Sequence, residues 1–127
     1  MNLTYTQHDA AGVVHIADTR LDASIAIQFK DTFRTLTSGG GDVILDLSDV
    51  EFLDSSGLGA IVAVYKALGS GRHMALAGLQ SPVEKVMMLT RMNTVFAIFP
   101  TLDAGLAAAD AGPAADADAT ADCTAAE

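Results

Sequence analysis

An apolar stretch from Val43 to Leu47 hands over to a helix-periodic one through the polar run Asp54-Ser55-Ser56-Gly57-Leu58-Gly59, and this handover constrains the fold most. Val43 to Leu47 reads as a buried strand, and Val50, Phe52 and Leu53 continue the apolar run. Leu58, Ile61, Val62, Tyr65 and Leu68 then recur at helical spacing, which predicts that Ser56 lies in the first turn of a helix. Free backbone N–H groups and the positive end of the helix dipole tolerate negative charge there, so the geometry suits a phosphate.

The pattern alternates on either side of this handover. Leu3 to Gln7 and Val13 to Ala17 read as two strands joined by a hairpin connection at Asp9-Ala10-Ala11-Gly12. Asp22 is placed to cap a helix with Ile25, Phe29, Phe33 and Leu36 on one face, and Gly39-Gly40-Gly41 to end it. That triple glycine lacks the Lys-Ser/Thr pair of a phosphate loop. Gly69-Ser70-Gly71 closes the middle helix, and His73 to Ala77 makes another strand. Ser81-Pro82-Val83-Glu84 reads as a capping box opening a third helix to about Arg91. Val95 to Phe99 is a last strand, and Thr101 caps a short helix through roughly Ala109. Such alternation implies a mostly parallel sheet with crossover helices, an α/β fold.

A chain of 127 residues is most simply one folded domain, here residues 1–109, followed by a segment at 110–127 built from Ala, Asp and small polar residues. Of the net charge of −9, this end segment carries −5 without a Lys or Arg, leaving −4 on the rest. With no large apolar residue from Ala107 onward, it is expected to be disordered and solubilising. Neither part offers a basic stripe, which argues against direct nucleic-acid binding. The single Cys123 cannot form an internal disulfide, no charged-then-apolar signal segment opens the chain, and no apolar run approaches a membrane span. A cytoplasmic location is expected.

The chain resembles the STAS domain, and more narrowly the bacterial anti-sigma factor antagonists, over most of residues 1–109. The resemblance rests on Arg20-Leu21-Asp22-Ala23, Val43-Ile44-Leu45-Asp46-Leu47-Ser48, Val50-Glu51-Phe52-Leu53-Asp54-Ser55-Ser56-Gly57-Leu58-Gly59 and Val95-Phe96-Ala97-Ile98-Phe99-Pro100. It implies a STAS-type single domain: a small mixed, mostly parallel sheet with about four helices packed mainly on one face. It also implies that Ser56 is phosphorylated by an anti-sigma factor that is itself a serine kinase, and that a metal-dependent serine phosphatase resets it. Asp22, Asp54, Ser55, Ser56, Gly57, Leu58 and Gly59 would then form the partner surface, with the glycines letting another backbone approach. The protein is expected to be a ligand and a substrate, not an enzyme, with no cofactor or metal of its own. The alternative within the fold is a scaffold or accessory subunit of another signalling or membrane-transport complex. Departures from the family concern turns: Ala17-Asp18-Thr19-Arg20, where a glycine is common, and Arg91-Met92-Asn93-Thr94 in place of a glycine-containing turn.

Other chemistries fit less well. Asp54-Ser55-Ser56 can serve as a plain helix cap. Asp46 invites an aspartyl-phosphate reading, but a receiver site also needs an acidic pair after the first strand and a lysine after a late strand, and Val95 to Pro100 leads to Thr101 instead. Ser56 lies outside a Gly-x-Ser-x-Gly elbow, and His73 is the only histidine after it, so a hydrolase is poorly supported. His8, His15 and His73 lack metal-ligand spacing and read as single core or surface histidines. Met87, Met88 and Met92 read as soft core packing. The middle helix is apolar nearly all round until Lys66, so it is either fully buried or presents a face to a partner.

Overall fold

The computed structural model describes residues 2–8, 11–39, 41–69 and 71–111. The first two apolar stretches form an antiparallel hairpin, β1 (Leu3–Gln7) and β2 (Gly12–Ile16), with Leu3 opposite Ile16 and Gln7 opposite Gly12. A two-residue strand β3 (Arg20–Leu21) precedes helix α1 (Ala26–Leu36), and β4 (Val43–Asp46) follows. Every residue of β4 is buried, as an unbroken apolar run requires at the centre of a sheet covered on both faces. Then come β5 (Phe52–Leu53), α2 (Ser55–Leu68), β6 (Met74–Ala77), α3 (Ser81–Leu89), a single 3-10 turn (Met92–Thr94), β7 (Ala97–Phe99) and α4 (Leu102–Ala111).

The main sheet runs β1-β2-β4-β6-β7, antiparallel only between β1 and β2, while β3 and β5 pair in parallel as a separate ribbon. Each crossover from β2 to β4, β4 to β6 and β6 to β7 steps the same way across the sheet. Parallel crossovers are right-handed, so α1, α2 and α3 must fall on the same face. Their core gathers Phe29 and Phe33 of α1, Ile61 and Val64 of α2, and Val83 and Met87 of α3 over Val14, Leu45 and Leu76. The other face holds a smaller cluster of Ala11, Val13, Ile44 and Ala77, covered by Leu102 and Leu106 of α4. Among the described residues, three helices on one face and one on the other give the mixed α/β arrangement expected.

Local details depart from expectation in instructive ways. Asp22 does not cap α1: its carboxylate accepts from the Ser24 N–H at 3.1 Å and closes a turn, and the helix starts only at Ala26 without a side-chain cap. Helix α1 also ends before the glycines, at Thr37, whose hydroxyl donates to the Phe33 carbonyl. Gly41 has φ of 89°, consistent with a turn there, while Gly40 lies outside the described residues. The capping box does not form, because Ser81 is already the first residue of α3 and Gln80 precedes it without a side-chain cap. Arg91 stands beyond α3 in the left-handed region at φ 61°, where glycine is favoured, and stops the helix early.

The packing face of α2 is also shifted. Gly57, Ala60, Ile61 and Val64 are buried, whereas Leu58, Val62, Tyr65 and Leu68 flank them, partly exposed. Small side chains let the helix axis approach the core, and the larger ones fill the margins, as Tyr65 does edge-on to Phe96 at 5.0 Å. Met87 is buried and Met92 half-buried, but Met88 is exposed, because α3 turns only one apolar stripe inward. Helix α4 extends to Ala111; residues 112–127 of the expected acidic segment lie outside the described residues.

Candidate functional site

The residues Asp54 to Gly59 sit where β5 meets α2. Asp54 has extended backbone and accepts from the Gly57 N–H at 2.8 Å, while its carbonyl takes the Leu58 N–H at 2.9 Å. The cap therefore falls to Asp54, and Ser55 and Ser56 are the first two helical residues, both exposed. Among the described hydrogen bonds neither serine hydroxyl is engaged, and the cap bond to the helix start comes from Asp54.

Gly57 is buried, and a Cβ there would lie 2.1 Å from the Leu21 carbonyl oxygen. Its lack of a side chain thus permits a close backbone approach to the protein's own β3. Gly59 is exposed, with nothing within 4 Å of where a Cβ would stand, and is open to an incoming surface. Leu58 is half-buried against the main core, so only part of it faces out.

The β3–β5 ribbon brings Asp22 to this site. The Leu21 carbonyl receives the Asp54 N–H at 3.5 Å, which sets Asp22 one residue from the strand that contacts the helix start. The Asp22 carboxylate accepts from the Ser24 hydroxyl at 2.6 Å and from Arg20 Nε at 3.2 Å. The Ser24 hydroxyl bond, ahead of the Arg20 contact, holds its pKa below the usual carboxylate value. Asp18, Thr19, Arg20, Asp22, Ser24 and Ile25 line a shallow depression here, and Arg20 stacks over the half-exposed Phe52 ring at 4.3 Å. The Arg20–Phe52 pair escaped sequence reasoning, because it depends on the register of β3 against β5, which sets Arg20 beside Phe52.

Among the described residues no histidine hydrogen-bonds Ser56. His15 contacts Asp46 and Asp49, and His73 contacts Asp42, so neither hydrogen-bonds a serine of the run. Among the described residues no group of three or more His, Cys, Asp or Glu side chains is arranged to hold a metal ion.

A family model described as the STAS domain matches residues 2–105, and the chain belongs to the STAS domain family. Its relatives in that family include anti-sigma factor antagonists. A Thermotoga neapolitana protein, provisionally designated an anti-sigma factor antagonist, is 36% identical over 72 residues, 56% of this chain. The anti-sigma F factor antagonist of Paenibacillus polymyxa is 36% identical over 62 residues, 48% of this chain. The matches span 64% and 50% of the lengths of these two relatives. The crystal structure of an anti-sigma factor antagonist from Mycobacterium paratuberculosis superposes with a TM-score of 0.78 at 26% identity, covering 86% of this chain and 93% of that one.

Proposed function

We propose that the protein is an anti-sigma factor antagonist whose unphosphorylated form captures an anti-sigma serine kinase and so releases a sigma factor, and that phosphorylation of Ser56 ends the capture. The observation that carries this reading is an exposed, unengaged Ser56 in the first turn of α2, beside a cap that Asp54 supplies without it. A phosphate at Ser56 gains from the helix N-terminus and adds about −1.5 to −2 charges beside Asp54. The fold has no reason to rearrange, since no described bond of the helix start uses the hydroxyl. A partner surface fitted to a neutral hydroxyl then meets charge and bulk together, and desolvating that charge without a cation costs several kcal/mol. A penalty of about 4 kcal/mol lowers affinity roughly a thousandfold.

In this reading the partner contributes the ATP site and the catalytic groups, and a serine phosphatase acting on phospho-Ser56 resets the switch. The protein is a cytoplasmic ligand, without catalysis or cofactor of its own and without direct nucleic-acid contact. Titration calorimetry against the cognate kinase tests it. Ser56→Ala should bind as tightly as wild type and Ser56→Asp at least a hundredfold more weakly; equal affinity of all three would remove Ser56 from the switch.

A further inference from the structure

His15 lies on β2 directly opposite Asp46 of β4, on the face of the sheet away from α1, α2 and α3. Its Nδ1 is 2.9 Å from Asp46 Oδ2, and its Nε2 is 2.9 Å from Asp49 Oδ2 in the loop that leads from β4 to β5. Ionised carboxylates only accept hydrogen bonds, and a neutral imidazole has one N–H. Both contacts can be hydrogen bonds only when both ring nitrogens carry protons.

We propose that His15 is a positioning residue whose doubly protonated ring clamps the β4–β5 loop through Asp49, and that loss of one proton releases Asp49 while the bond to Asp46 stays. The asymmetry follows from burial. Asp46 is 8% exposed and its other oxygen accepts the Ser48 N–H at 3.0 Å, so losing its His15 bond would leave a buried acceptor short of a partner. The Asp49 side chain is 53% exposed and water replaces the ring readily. A neutral ring therefore keeps its proton on Nδ1.

Among the described residues the groups around the ring are few. From β1 the residue opposite is the uncharged Thr4, from β4 it is Asp46, and from the loop it is Asp49. Asp18, further along the chain, accepts from the Asn2 N–H, and the exposed Asp103 of α4 makes no described contact with the ring. Burial by itself pushes the His15 pKa down, but the bonds to Asp46 and Asp49 and the charges of both outweigh it and raise it above the ordinary 6.5. The clamp thus opens as pH rises through that raised value.

The loop it holds is the stem of the Ser56 site. Val50 bonds back to the Leu47 carbonyl at 3.0 Å, Glu51 to the Thr19 carbonyl at 2.7 Å, and β5 then leads into Asp54. Any effect on partner capture rests on the function proposed above; the clamp itself does not. Side-chain 15N shifts of His15 in the full chain, with exchange rates of the Val50 and Glu51 amides corrected for intrinsic pH dependence, test the clamp directly. His15 should titrate above 6.5, with protection of both amides falling about fivefold across its midpoint. Asp49→Ala should show the low protection at every pH. Asp49→Asn should lower the His15 midpoint and abolish the pH dependence, because an amide N–H can donate to the neutral Nε2. Titration of His15 at or below 6.5, or unchanged protection in Asp49→Ala, overturns the clamp. Capture of the kinase by Ser56→Asp at wild-type affinity would instead overturn the Ser56 reading and leave these amide measurements standing.

Discussion

A methyl group added at Gly57 would stand 2.1 Å from the Leu21 carbonyl oxygen, whereas one added at Gly59 meets nothing within 4 Å. Backbone on one side and helix on the other leave Gly57 little room to relax, so Gly57→Ala should cost roughly 2–4 kcal/mol in urea unfolding. Gly59→Ala, in the exposed part of the same helix, should stabilise by about 0.5–1 kcal/mol, as alanine does over glycine in a helix. Equal effects of the two would contradict the packing described for α2. Stability should also depend on pH through His15. Its folded pKa is raised above 6.5, so the contribution is fully present below pH 6.5 and is lost as pH rises through the folded value. With the Asp49 end exposed, the loss is screened to about 1 kcal/mol or less, and His15→Ala should flatten the urea midpoint over that range. Asp46 works in the opposite window. Burial pushes its pKa up, but the bonds from His15 and Ser48 pull it below the usual value, so its contribution fades only in acid, as pH falls through that lowered pKa.

At the scale of elements, the caps separate what sequence spacing can locate from what it cannot. Asp54→Ala removes the bond to the Gly57 N–H and should destabilise by about 1 kcal/mol, while Ser81→Ala should change stability by less than about 0.5 kcal/mol, since no cap bond is lost. Arg91→Gly should stabilise by about 1 kcal/mol, because glycine carries no penalty at φ 61°. Thermal and urea melts of the three variants check these signs together. The order of strands and helices was legible because apolar periodicity survives over four or more residues. The pairing of β3 with β5 was not, because a two-residue strand has no period to read. The contiguous run Asp54 to Gly59 announced the site, but which of its glycines faces inward depends on the Leu21 backbone, a long-range neighbour. Likewise His15 and Asp46 looked like isolated polar residues in apolar strands until the register of β2 against β4 set them side by side.

For the molecule as a whole, the stepwise order of β2, β4, β6 and β7 determines where everything else goes. One face receives three helices in succession, and the Ser56 turn emerges from that layer with its cap and loop already fixed by β3, β4 and β5. Among the described elements α4 is the one that covers the second face, where Gly105 allows contact with Ile44 and Phe99 at close range. Truncation after Thr101 should therefore uncover Val13, Ile44 and Ala77 and lower stability by at least about 3 kcal/mol, read as a lower melting temperature and increased binding of an apolar dye. The position of α4 also sets a timetable for synthesis. As the ribosome extends the chain, all five main-sheet strands and the first helical layer are made before the helix that shields the second face. A nascent chain that has delivered β7 but not Leu102 and Leu106 presents that apolar face to water, giving a chaperone a brief period in which to engage it before α4 closes over the sheet.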